Sequence, residues 1–287
     1  MSRRMDKETA MNAMIGTQVY PWGQDFEKDG EKLDLDALDE VLTQVAQCGF
    51  ACWEPSLTAS REQADQLGGM LSHQGLQAPS VYANVRLHED DWAQQIENTV
   101  EQMRHAYDFG AKILVVNPEP IRWNTSHDKN DAQLKIQARA MQTLGEKLRD
   151  QNQTLAYHIH SPEMRQAARE FHHMLLATDP DVVGLCLDTH WIYRGAGDSQ
   201  IALQDIVQLY GDRIKSLHVR QSQGGVWSET FGEGDIGHGW LVARLNAMDF
   251  SGPLILEQAR ETGTPQTMPF VEAQKRSLQE LKRVFGL

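Results

Sequence analysis

The chain has 287 residues, 40% of them hydrophobic and 23% charged, with a formal net charge of −13. That is enough to bury a large core without a disulfide or structural metal, and too acidic to hold DNA unless a basic face is segregated. No Lys/Arg cluster supplies such a face and no apolar run approaches the roughly 18 residues of a membrane span, so neither nucleic-acid nor membrane partners are expected.

Short β-like runs alternate with longer amphipathic stretches. Strands are predicted at Met14–Tyr20, Phe50–Glu54, Gln77–Tyr82, Lys112–Asn117, Thr154–His158, Val182–Asp188, Ile214–Val219 and Pro253–Glu257. Helical patterns fall between and after them, around Leu35–Gln47, Ser60–Ser72, Asp91–Phe109, Ala132–Asp150, Met164–Ala177, Ile201–Tyr210, Gly239–Ala247 and Phe270–Val284. Eight strands, each followed by a helix, predict an α/β fold with a closed parallel sheet, a single (β/α)₈ TIM barrel over residues 1–287. Gly49, Gly75, Gly110, Gly184 and Gly252 precede strands, as helix C-caps would. Long connections, Pro118–Lys129 and Gln221–His238, place Trp123 and Trp227 in loops, and Trp22 is expected in the loop after the first strand.

Met1–Glu8 carries basic residues with no apolar stretch behind them, unlike a secretory signal, and a cytoplasmic location is expected. Cys48, Cys52 and Cys186 are too few for a disulfide framework and read as buried small hydrophobes.

Four later strands end in a group that binds divalent metals: Tyr157-His158-Ile159-His160, Leu187-Asp188, Leu217-His218 and Leu256-Glu257. The carboxyl ends of barrel strands form the active-site face. His158 and His160 share a side, because side chains along a strand repeat with period two. Asp188 and Glu257 close strongly apolar runs, where an unpartnered carboxylate is costly. His158, Asp188, His218 and Glu257 make a mixed nitrogen/oxygen donor set suited to one ion of Mn²⁺, Co²⁺, Mg²⁺ or Zn²⁺. Glu54 ends the second strand and Glu119 follows the fourth; they either line the pocket or pair with Arg122 or Arg220. With Trp22, His190 and Arg220 they are candidates for substrate contact, where Arg220 would clamp a hydroxyl, carboxylate or phosphate.

These segments resemble the xylose isomerase-like TIM-barrel superfamily of sugar isomerases, epimerases and related lyases. His158-Ile159-His160-Ser161-Pro162-Glu163 is similar to its His-Asn-His-x-x-Glu segment. Asp188-Thr189-His190-Trp191 with Ala196-Gly197-Asp198, the strand Arg213–His218 and Phe231–Ile236 resemble its other motifs. The resemblance implies a divalent-metal enzyme with Asp188, His218 and Glu257 as ligands. The fifth-strand position holds His158 where the epimerases have Glu, so the fourth ligand is His158 or Glu163. Inosose dehydratases share the His-rich fifth strand, and there His160 looks like the catalytic base.

The expected reaction is isomerisation or epimerisation of a keto-sugar or keto-polyol. The ion stabilises an enediolate, and Glu257 or His160 takes the proton. Dehydration assisted by Glu163 or His190 is one alternative, and a non-catalytic sugar-binding barrel is another. The apolar helix at Val271–Phe285 suits a homodimer, and the resemblance implies dimers or tetramers.

Overall fold

The computed structural model describes residues 13–27, 30 and 33–287; the predicted N-terminal segment Met1–Glu8 lies outside them. Eight parallel strands form the barrel: β1 (Ile15–Gln18), β2 (Cys52–Glu54), β3 (Ser80–Val85), β4 (Ile113–Pro118), β5 (Thr154–Tyr157), β6 (Val183–Asp188), β7 (Ile214–Val219) and β8 (Leu254–Leu256). Their order is β2-β1-β8-β7-β6-β5-β4-β3. The β2–β3 seam is closed by the bridges Cys52↔Gln77 and Ser56↔Tyr82, with Trp53 N donating to Gln77 O at 2.9 Å and Tyr82 N to Pro55 O at 2.8 Å. The predicted TIM barrel is the fold observed.

Small side chains fill the barrel interior, where Val115, Ala156 and Cys186 form a buried cluster against Tyr82. The larger apolar core lies between strands and helices and runs from Ile15 to Phe285. Gly16 on β1 shows how tight the wall is. A Cβ there would stand 2.4 Å from Cys52 Sγ and 2.7 Å from Cys52 O. Gly16→Ala is therefore expected to cost about 1–3 kcal/mol, read as a lowered urea midpoint at an unchanged slope.

The helices are α1 (Val19–Phe26), α2 (Leu35–Cys48), α3 (Arg61–Gln74), α4 (Trp92–Tyr107), α5 (Asp131–Arg149), α6 (Ser161–Leu176), α7 (Thr189–Gly195), α8 (Gln200–Tyr210), α9 (Gly239–Ala247) and α10 (Phe270–Phe285). Their caps are written in the sequence. Asp34 Oδ1 accepts from Asp36 N and Ala37 N, each at 3.1 Å, and Asn130 and Gln133 cap α5 reciprocally. Gly49 and Gly75 end α2 and α3 in the left-handed region, as predicted. Two other glycines serve differently. Gly184 lies inside β6, and a Cβ on Gly252 would meet Lys215 O at 2.1 Å.

Other expectations also shift. The third strand runs from Ser80 rather than Gln77, and β1 stops at Gln18, where α1 begins. Gln18 Oε1 accepts from Tyr20 N at 3.2 Å, and Pro21 falls in the first turn, where its missing N–H costs nothing. Trp22 is thus a helix residue. α7, absent from the predicted pattern, follows β6 directly. The α6 span is broken after one turn: Arg165 is extended, and Gln166, Ala167 and Ala168 are left-handed at φ 53°, 58° and 55°. Such residues cost about 1–2 kcal/mol each. Arg165 holds the break by donating to Asp128 Oδ1 at 2.6 Å and Thr125 O at 2.8 Å. The apolar face of α10 packs within the chain, with Phe270, Leu278, Leu281 and Phe285 buried. No helix among the described residues is long and apolar enough to cross a membrane.

Candidate active site

Strands β5 to β8 are neighbours in the barrel, and their ends converge. Asp188 is the last residue of β6, and His218, in β7, is its register partner. His158 and Glu257 follow β5 and β8 by one residue, held in line by His158 N to Val116 O at 2.7 Å and Glu257 N to Val219 O at 3.0 Å. One ligating atom from each of His158, Asp188, His218 and Glu257 lies within 4.8 Å of the others, and all four residues are buried.

Asp188 has two tasks. Its Oδ1 caps α7 by accepting from Trp191 N at 2.7 Å, and its Oδ2 lies 3.4 Å from His158 Nε2. Neither ring nitrogen of His158 and no well-aligned group at Glu257 Oε2 completes a hydrogen bond. Burial holds the His158 imidazole down at about 3, so it is neutral and offers one nitrogen lone pair. Buried polar atoms are normally satisfied, and unpaired nitrogens and a carboxylate oxygen converging on one point are the donor set of a divalent cation. The residues fit such an ion.

Behind the quartet lies a supporting layer. His218 Nε2 sits 2.8 Å from Glu54 Oε1, and His218 Nδ1 is 3.4 Å from Glu257 Oε2. The first contact is close but poorly aligned as a hydrogen bond. Glu54 is itself fixed by Ser80 Oγ, which donates to its Oε2 at 2.6 Å. The sequence places Glu54 among substrate contacts; the structure places it beneath the site, fully buried, with its carboxylate on His218. A carboxylate behind a ligating imidazole orients the ring, so Glu54→Gln is expected to weaken divalent-ion binding about 10–100-fold, measured by titrating metal-stripped protein.

Arg220 also stands behind rather than inside the cavity. It is 2% exposed. Its Nη2 lies 2.7 Å from Glu257 Oε1, its Nε donates to Glu257 O at 2.7 Å, and its guanidinium stacks 3.9 Å above the Trp227 ring. Burial opposes ionisation of Glu257, but Arg220 and His218 together outweigh it and hold that carboxyl low.

In front of the quartet opens a cavity of about 670 Å³, lined by His158, His160, Glu257, Tyr20, Tyr82, Asn84, Trp123 and Trp191 among others. Its size is ordinary for a small-molecule site. The His160 ring lies between Trp123 at 5.3 Å and Trp191 at 5.2 Å. Its backbone N donates to Glu163 Oε2 at 2.7 Å.

Glu163 is buried and lies outside the quartet, so of the two candidate fourth ligands only His158 joins the cluster. Burial and the nearby Glu170 push the Glu163 carboxyl up to about 7 from 4.5. A carboxyl with a raised folded-state value stabilises most while protonated. Its contribution is therefore present below pH 4.5 and lost as pH rises through about 7. Glu163→Gln should flatten that decline in urea unfolding followed from acid to mildly alkaline pH.

Three further candidates lie away from the cavity. Trp22 is 2% exposed, donates to Thr17 Oγ1 at 3.2 Å and packs edge-on against Phe270 at 5.0 Å. His190 is buried, its ring 6.0 Å from that of Trp227. Glu119 is half-buried outside the cavity lining, its N–H donating to Val85 O at 3.0 Å. Tyr20, Tyr82 and Trp191 take the wall positions instead. These three are missed in the sequence, because an aromatic ring at a strand or helix end looks the same there whether it packs in the core or faces a cavity.

A parallel barrel carrying a four-residue imidazole–carboxylate cluster at the carboxyl ends of adjacent strands defines a class of small-molecule enzyme folds. The chain belongs to the xylose isomerase-like TIM-barrel family, whose model matches residues 42–283. A protein named inosose dehydratase from Geobacillus kaustophilus is 20% identical over 85% of this chain and 87% of its own length. Another so named, from Clostridium perfringens strain 13, is 20% identical over 94% of this chain and 97% of its own. Among solved structures, a sugar phosphate isomerase/epimerase from Parabacteroides distasonis matches with a TM-score of 0.70 at 17% identity, covering 98% of each chain. At that identity the structural match speaks for the fold.

Proposed function

We propose that this protein is a divalent-metal-dependent enzyme of keto-sugars or keto-polyols, in which His160 takes a proton from the carbon beside the carbonyl. Its return to the neighbouring carbon or opposite face gives isomerisation or epimerisation. The observation that carries the reading is the quartet of buried ligand groups, two of which, His158 and Glu257, line the same cavity as His160. His158, Asp188, His218 and Glu257 would hold the ion. When bound, a divalent ion supplies Lewis acidity to the substrate carbonyl and an adjacent hydroxyl.

The chain's own residues supply the rest. Tyr20, Tyr82, Trp123 and Trp191 wall the cavity in which the substrate would sit. Glu257, tied to Arg220 at 2.7 Å, is better suited to holding the ion than to taking a proton. His160 is neutral, pushed down to about 3 by burial and by His158, and lines the cavity as a base must. A second reading, dehydration of an inosose-like keto-polyol, is favoured by the relatives named inosose dehydratase and by His158 just after the fifth strand, where the resemblance to those enzymes implies a histidine.

Incubation with a ketose and inosose panel in deuterated water, after loading with Mn²⁺, Co²⁺, Mg²⁺ or Zn²⁺, separates the outcomes. Label returned to carbon in an isomeric product supports the first reading, and loss of water supports the second. No exchange and no water loss with any substrate would overturn both and leave a sugar-binding barrel.

A further inference from the structure

We infer that Asn117 is a positioning residue: it fixes His160 in the tautomer that carries its proton on Nδ1 and thereby leaves the Nε2 lone pair for the substrate. The inference rests on the reading of His160 as the base, but its geometry stands apart from that reading.

Asn117 is fully buried near the end of β4. Its amide can face His160 in either of two ways, and a donor there would demand the opposite tautomer from an acceptor. The choice is made by the amide's other end. Nδ2 donates to Pro118 O at 2.9 Å, so the nitrogen is held by a carbonyl that can only accept. Oδ1 is then the atom facing His160 Nδ1, and the two are in hydrogen-bond contact. An acceptor requires a donor, and a neutral imidazole has one N–H. Nδ1 therefore carries the proton and Nε2 the lone pair.

The rest of the ring is equally constrained. Glu163 fixes the backbone N–H of His160, and Trp123, Trp191 and His158 surround its ring, with His158 4.9 Å away. A ring free to choose its tautomer would present a donor part of the time, and a donor cannot take a proton from carbon. Pro118 adds a local reason for the arrangement. Proline favours extended backbone in the residue before it, which keeps Asn117 in the strand.

The test uses the full-length protein labelled with ¹⁵N-histidine and a two-bond proton–nitrogen correlation at neutral pH, with the His160 pattern assigned by its loss in His160→Gln. The expected pattern is a protonated Nδ1 and an unprotonated Nε2. Asn117→Leu, which keeps the size but removes the acceptor, is expected to give mixed tautomers and to lower kcat between about 10- and 10⁴-fold with KM nearly unchanged. Asn117→Asp, which keeps an acceptor, is expected to retain Nδ1–H and recover most of kcat. Protonated Nε2 in the unsubstituted protein, or a His160 pattern unmoved by Asn117→Leu, would overturn the inference. Should the leucine variant not fold, the unsubstituted and Asn117→Asp spectra still decide. The expected pattern together with full kcat in His160→Gln would instead sink the proton-transfer reading and leave the Asn117–His160 pairing in place.

Discussion

His160→Gln is expected to lower kcat by about 10²–10⁴-fold, the range that a positioned general base contributes, while the protein binds its divalent ion as before. The two halves of that expectation come from different parts of the structure. His160 lines the cavity but contributes no atom to the four-residue cluster, so removing its basic nitrogen leaves the donor set whole. Glutamine fills much of the same space between Trp123 and Trp191 and keeps the backbone N–H that Glu163 accepts. Steady-state kinetics alongside elemental analysis of the same preparation checks both halves. Turnover retained within a few-fold would move the base elsewhere, with Glu257 the next candidate.

Asp188→Asn should have the second large effect, on metal rather than on chemistry. Near one divalent ion per chain is expected in the unsubstituted protein after loading, with at least a ten-fold weaker affinity in the variant. The substitution is chosen because it separates the two tasks of Asp188. An asparagine carbonyl can still accept from Trp191 N and cap α7, as Oδ1 does at 2.7 Å, but the amide at the other position is a poor ligand. A helix-capping role alone would therefore leave metal content unchanged. The same comparison can be made by thermal melting. An ion present at about 100 times its dissociation constant adds about 2.7 kcal/mol to the folded state, a shift that Asp188→Asn should lose. His218→Ala would strip the ion too, but it leaves the Glu54 carboxylate buried without its imidazole, so instability would confuse the result.

Much of the fold could be read from the sequence because each barrel strand is short, apolar and bounded by its own punctuation. The same property made the quartet visible, since a His, Asp or Glu closing an apolar run is conspicuous. Depth was the part that did not show. Glu54 ends β2 just as Glu257 follows β8, and in sequence the two look alike. Yet Glu54 reaches across the barrel beneath His218, whereas Glu257 opens to the cavity. Arg220, next but one after His218, pairs with Glu257 and stacks on the Trp227 ring rather than lining the cavity. Trp22 was lost to a different cause. Val19-Tyr20-Pro21-Trp22 has the composition of a strand end, but the Gln18 cap starts a helix there and turns the indole into the core. Asn117 escaped notice because an uncharged amide before a proline carries no chemical flag until its neighbour is known.

The seam between β2 and β3 gives the barrel an uneven stiffness. Seven of its joints are ladders, the one between β6 and β7 carrying a register shift at Leu185/Cys186, but this one rests on two isolated bridges. Between those bridges the stitch is made by side chains, with Ser80 of β3 donating to Glu54 of β2. The same Glu54 carboxylate touches His218 on the far wall. Any breathing of the barrel concentrates where backbone pairing is thinnest. That point is joined through a single buried carboxylate to one of the four groups on which an ion would depend, so a change at the seam would be felt at the ring of ligands.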